Sequence, residues 1–80
     1  MRLNEEQKLL VQLSALESGL QGKLVRIGDS WAVVGHDQDQ PKLWAGKLVS
    51  RVQGSKVWWA GGWFYDRQRK GVIAQLTKEV

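Results

Sequence analysis

The chain has no cysteine, one proline, one methionine and one histidine in 80 residues. Without cysteine there is no disulfide, no iron–sulfur cluster and no zinc–thiolate site. That absence fits a reducing compartment, and the cytoplasm is the expected location. Long apolar runs are missing too. The longest, nine residues from Val57 to Tyr65, is far short of the ~20 that a membrane-spanning helix needs. A secretory signal is not expected, because Glu5, Glu6 and Lys8 precede the first apolar run and no clean small-residue cleavage site follows it. Repeats, linkers and low-complexity segments are absent, so residues 1–80 read as one small domain, with 1–20 helical and 23–80 mainly β.

Catalytic patterns are equally scarce. Gly61-Gly62 lacks the Lys-Ser/Thr that completes a phosphate-binding loop. The serines show no nucleophile-elbow pattern and no base at a recognisable spacing. His36, Asp37 and Asp39 fall within four residues. Metal sites draw ligands from separate elements, so this trio reads as a solvated loop, with no metal and no cofactor expected. The chain is read as non-enzymatic.

Tryptophan is what the sequence has in excess. Five of 80 residues are tryptophan, and Trp58, Trp59 and Trp63 share one stretch with Phe64 and Tyr65. Rings bury a large area at low entropic cost, in a core or against a partner. A domain this small buries only roughly 60–65% of its unfolded surface, so some rings are expected to serve a surface. Charge is unevenly spread. Residues 1–40 carry four basic and six acidic side chains, a net of −2; residues 41–80 carry eight basic and two acidic, a net of +6. The basic half is also the aromatic half. Such asymmetry attracts polyanions and acidic protein surfaces.

Elements follow from local signals. Residues 4–18 read as a helix, with Asn4 as N-cap, Gln7 completing a capping-box variant and Gly19 as a left-handed C-cap. Leu9, Leu13, Leu16 and Leu20 form an apolar stripe, expected to pack on a sheet, with a dimerisation helix as the alternative. Lys23–Gly35 reads as a hairpin turning at Gly28-Asp29, followed by a polar loop from His36 to Gln40. Residues 41–53 fit a helix opened by Pro41 or a strand from Lys47 to Gln53. The strand is preferred, because Gln53-Gly54-Ser55-Lys56 makes a natural turn. Val57–Asp66 is β-prone. Gly61-Gly62 is either a hairpin turn or a bend within one long strand. A basic turn over 66–71 and a last strand over Val72–Leu76 complete the chain.

The expected fold is α+β: an N-terminal helix on a small, strongly curved antiparallel sheet, or an SH3-like or OB-like barrel. Leu9, Leu13, Leu16, Val25, Ile27, Val33, Val57, Ile73 and Leu76 are the expected core, with Trp31 and one of Trp58 or Trp59.

Lys23–Val34 locally resembles the start of the swapped-hairpin antitoxin and transition-state regulator family, with a basic strand, a Gly-Asp-Ser turn and an Ala-Val strand. The resemblance implies interleaved dimers and DNA contacts by Lys23 and Arg26. It covers about 12 of 80 residues, lacks the following Ile-Pro and is preceded by a foreign helix, so the segment is read as an ordinary hairpin.

The function expected is binding. Single-stranded nucleic acid is held by rings that stack on bases and cations that follow phosphates. Trp58, Trp59, Trp63, Phe64 and Tyr65 would stack, and Arg51, Lys56, Arg67, Arg69 and Lys70 would supply charge. DNA and RNA are both open. Tryptophan and arginine also dominate protein hot spots, so the alternative is a small inhibitor or adaptor, of the kind phages and plasmids encode, docking on an acidic protein surface. A homodimer through the aromatic face or the leucine stripe is compatible with either.

Overall fold

Helix α1 spans Glu5–Glu17. Its start is fixed as the sequence indicates. The Asn4 side chain accepts from the Gln7 backbone N–H at 2.8 Å, and Gln7 Oε1 accepts from the Asn4 N–H at 3.0 Å. Two amide donors that no helical carbonyl can reach are thereby satisfied. Glu5 and Glu6 occupy the first turn, where the helix dipole favours acids. The helix ends at Gly19, whose φ of +90° carries the chain into a strand beginning at Leu20. We expect Asn4→Ala to lower stability by about 1 kcal/mol, readable as a lowered midpoint in urea.

The computed structural model of the chain describes residues 1–66, with side chains through residue 60. Four strands follow the helix: β1 (Leu20–Ile27), β2 (Ser30–Asp37), β3 (Trp44–Gln53) and β4 (Lys56–Asp66). All neighbours are antiparallel, in the order β1-β2-β3-β4. Both hairpins turn on two residues, Gly28-Asp29 and Gly54-Ser55, with φ of +60° and +59° at the glycines. Positive φ at the first central residue only, with Asp29 and Ser55 not positive, makes these type II′ turns, which suit the right-handed twist of paired strands. Residues 41–53 therefore contain a strand, as preferred, and it starts earlier, at Trp44. Among the described residues the sheet is open, with β1 and β4 at its edges. The expected last strand over Val72–Leu76 lies outside the described residues.

Two expectations are corrected, and one alternative left open is decided. First, β2 runs on through His36 and Asp37, which leaves the polar loop shorter than expected. The alternative at Gly61-Gly62 falls to the bend within one long strand and not to the hairpin turn. β4 runs continuously to Asp66, and the register slips between Ala60, opposite Leu48, and Phe64, opposite Gly46. Two extra residues on β4 make an irregular bulge, which bends the strand and raises its twist. Trp59 lies opposite Val49 and Trp58 opposite Arg51.

The second correction concerns the core. Helix α1 meets the sheet through Val11 and Ala15, each 0% exposed, not through its leucines. They join Leu3, Leu20, Val33, Ala45 and Val49, with Trp31, Val57 and Trp59 partly buried against them. Leu9, Leu13 and Leu16 are 59%, 49% and 43% exposed. The small Val11 and Ala15 let the helix approach the sheet closely. The leucines lie about 150° further around, at 3.6 residues per turn. A second cluster of Ile27, Ala32, Val34 and Leu48 is buried on the other sheet face.

One cross-strand pair carries no side chains. Gly22 faces Gly35. A Cβ at Gly22 would lie 2.6 Å from the Val34 carbonyl oxygen, and one at Gly35 would overlap the Gln21 carbonyl oxygen and Gly22 Cα. The strands approach there more closely than any side chain permits.

Candidate functional site

The topology brings both type II′ turns to one end of the sheet, and α1 starts at that end too. The N-terminal ammonium of Met1 donates to the Asp29 carbonyl at 3.3 Å, and Asn4, Gln7 and Leu10 flank Gly54 and Ser55. The opposite end holds the β2–β3 loop and the helix C-terminus, joined by the Gln38 N–H donating to the Gly19 carbonyl at 2.9 Å.

Cations gather at the turn end. Arg26 faces Trp31 across β1 and β2, Trp31 faces Val49, and Val49 faces Trp59. This row crosses the whole sheet on its helix-covered face. Period-two alternation sends Trp58 to the other face, where Arg51 lies opposite it. Lys56 closes the β3–β4 turn and is exposed. The amino terminus, Arg2 and Lys8 add charge from the helix side; Glu5, Glu6 and Asp29 offset part of it.

Rings and cations are interleaved in a specific way. The Arg51 guanidinium lies over the Trp58 ring, 3.8 Å from its centroid. Lys8 and Arg26 each stand 5.3 Å from the Trp31 centroid, and Lys47 stands 5.9 Å from that of Trp59. Trp44 stacks on His36 at 4.0 Å. Three of the four tryptophans whose side chains are described, Trp31, Trp58 and Trp59, therefore have a Lys or Arg cation over the ring. Such contacts contribute about 0.5–1 kcal/mol at exposed sites. Their larger effect here is on order: a guanidinium lying on a ring has few conformations left to lose when it meets an anion. Arg26 is further held by Nε donating to the Gly28 carbonyl at 3.1 Å.

Several expected site residues are thus assigned. Trp58, Arg51 and Lys56 stand together at the turn end. Trp59 is partly buried against the helix-side cluster, with Lys47 over its ring. Trp63 lies in the irregular part of β4 and Tyr65 in the regular stretch beyond it, opposite Ala45, toward the other end of the sheet. Arg67, Arg69 and Lys70 lie outside the described residues. Lys8 and the amino terminus were not expected at the site, and Arg26 was indicated only by the local resemblance to swapped-hairpin proteins. Two short hairpins side by side necessarily bring their turns to one end, and that was the signal available in the sequence.

Trp31 carries one cost. Its indole Nε1 is buried with no hydrogen-bond partner, a penalty of about 1–3 kcal/mol for an amide-like donor. We expect Trp31→Phe to change stability by less than about 1 kcal/mol, because loss of the orphaned donor offsets lost packing. Thermal melts of the two proteins check this.

His36, Asp37 and Asp39 do not converge on a common point. His36 stacks on Trp44, and Asp37 Oδ1 accepts from the Asp39 and Gln40 backbone N–H groups at 2.7 and 3.1 Å. Asp37 thus organises the β2–β3 loop. Among the described residues no group of three or more metal-ligating side chains stands together. No helix there is long and apolar enough to cross a membrane.

Searches with the sequence and the structure found no matching family model, curated protein or solved structure.

Proposed function

We propose that the chain is a non-enzymatic module that binds polyanions, nucleic acid first, through the turn end of its sheet. The observation that carries this reading is the Arg51–Trp58 stack, 3.8 Å deep, beside exposed Lys56 and on the same end as Arg26. Arg51 over Trp58 on one sheet face and Arg26 over Trp31 on the other give the turn end ordered cations on both faces, available to a phosphate backbone. Rings already covered by cations support phosphate contact more than base stacking. Duplex DNA or RNA is accordingly favoured over single strands, a shift from the stacking expected on composition.

The test is a fluorescence titration of the protein with a duplex and with a single strand of the same sequence, at low and physiological salt. Saturable binding to the duplex, weakened steeply by salt, is the expected result. No binding to either at low salt would remove this reading. We expect Trp58→Phe to bind almost as wild type, because a ring still supports Arg51, and Trp58→Ala to bind more weakly at unchanged fold.

A further inference from the structure

The leucines that α1 turns away from its own sheet have a place to receive something. Leu9, Leu13 and Leu16 line an open groove of about 580 Å³, completed from the sheet by Leu20, Val34 and Trp44. Gly22 and Gly35, the pair without side chains, also line it. The close strand approach that demands glycine there therefore also keeps the groove open. Spacings of four and three residues put the three leucines on one helix face. Such a face beside an apolar groove is the geometry that receives an amphipathic helix.

The charges beside this stripe are one-signed on the helix. Glu6 and Glu17, both exposed, are eleven residues apart. That is about three turns, so they lie on one line along the outer border of the stripe, about 16 Å apart at 1.5 Å per residue. Glu5 is exposed on the other border. The helix's one cation, Lys8, turns toward the sheet, pairing with Glu5 at 3.2 Å and standing over Trp31. Lys23 and His36 line the sheet side of the groove.

This pattern disfavours a second copy as occupant. In a symmetric antiparallel pair of α1 helices, equivalent sides meet, so Glu6 of one copy would approach Glu17 of the other. Like charges so placed repel. A partner whose apolar face is bordered by Lys or Arg meets the same line favourably.

We propose that the α1 groove is a docking site for a basic amphipathic helix of another protein. Its apolar residues would pack on Leu9, Leu13 and Leu16, and its cations would face Glu6 and Glu17. The groove's lining is distinct from the turn-end cations, Glu6 borders both, and docking there does not rest on polyanion binding.

The test uses the full chain and two labelled synthetic helices with leucines at i, i+3 and i+7. One is flanked by lysine and the other by glutamate. Fluorescence anisotropy is expected to show saturable binding of the lysine peptide and at least tenfold weaker binding of the glutamate peptide. The outcome is diagnostic because the protein's net charge of +4 alone predicts the reverse order. The L9Q/L13Q/L16Q variant should lose the lysine peptide at least tenfold while melting at an unchanged temperature, since its replaced side chains are exposed. E6Q/E17Q should abolish the preference and keep the fold. Equal binding of both peptides, or undiminished binding by the glutamine variant, would overturn the proposal. So would concentration-dependent dimerisation in sedimentation velocity that the glutamine variant removes, because the occupant would then be a second copy.

Discussion

Gly35→Ala is expected to destabilise the chain by about 3 kcal/mol or more, the upper range for overpacking. A Cβ at this position would overlap backbone, the Gln21 carbonyl oxygen and Gly22 Cα, and not the end of a side chain that can swing away. Relief requires β1 and β2 to separate at their paired glycines. That strains the ladder between Leu20–Asp37 and Lys23–Val34 and disturbs buried Leu20 and Val34. A domain of this size shifts its melting temperature by roughly 4–8 °C per kcal/mol, so a fall of about 12–24 °C is expected. Since an 80-residue domain has only about 4–12 kcal/mol in total, the variant would sit close to unfolding at 37 °C. Gly22→Ala is expected to act in the same direction, with its Cβ 2.6 Å from the Val34 carbonyl oxygen. Thermal melts by circular dichroism decide this. A Gly35→Ala melt within 3 °C of wild type would mean that the two strands are not so close.

The second large effect concerns binding. Replacing Arg26, Arg51 and Lys56 together by alanine is expected to remove about three phosphate contacts. At a slope of about −0.9 per contact on a duplex, the log–log dependence of affinity on salt should flatten by about 2.7. Between 50 and 200 mM salt that is a difference of about 40-fold in how much affinity is lost. The side chains are exposed, but loss of the Arg26 and Arg51 contacts over Trp31 and Trp58 at about 0.5–1 kcal/mol each should lower the melting temperature by roughly 4–16 °C while the fold is kept. Alanine in place of Lys23 and Lys42, two exposed cations away from the turn end, should leave most of the slope in place. Should both variants lower it equally, net charge and not the arranged turn-end cluster would be responsible.

Much of the local structure was legible in the sequence. Asn4 and Gln7 marked the helix start, and Gly19 its end, because unsatisfied amides and a left-handed residue have few solutions. Gly28 and Gly54 marked both turns for the same reason. The glycines at 61 and 62 were ambiguous, because a hairpin turn and a bulge both favour residues without a Cβ. Only the partner strand decides between them, and β3 is long enough to pair with β4 past the irregularity.

The helix orientation was not legible, because α1 has two apolar stripes. Periodicity finds the larger, Leu9, Leu13 and Leu16, but carries no information on which stripe faces inward. The smaller stripe faces inward, since Val11 and Ala15 fit above Val33, Ala45 and Val49. The turn-end cluster was half legible. Arg51, Lys56 and Trp58 are close in sequence, whereas Arg26 and Lys8 join them only through the register of β1 on β2 and the path of the helix. Single-stranded stacking was inferred from ring count. The cations lying over the rings, which shift the expectation toward duplexes, are a tertiary property that composition does not contain.

Salt-dependent titration of the wild-type protein with a short duplex tests the polyanion reading most directly. The affinity is to be measured at several salt concentrations between 50 and 200 mM, alongside the Arg26/Arg51/Lys56→Ala variant. A linear log–log plot with a slope steeper than about −3 for wild type, flattened by about 2.7 in the variant, is the expected result. A wild-type slope near zero, or identical slopes for the two proteins, would contradict phosphate binding at this end of the sheet.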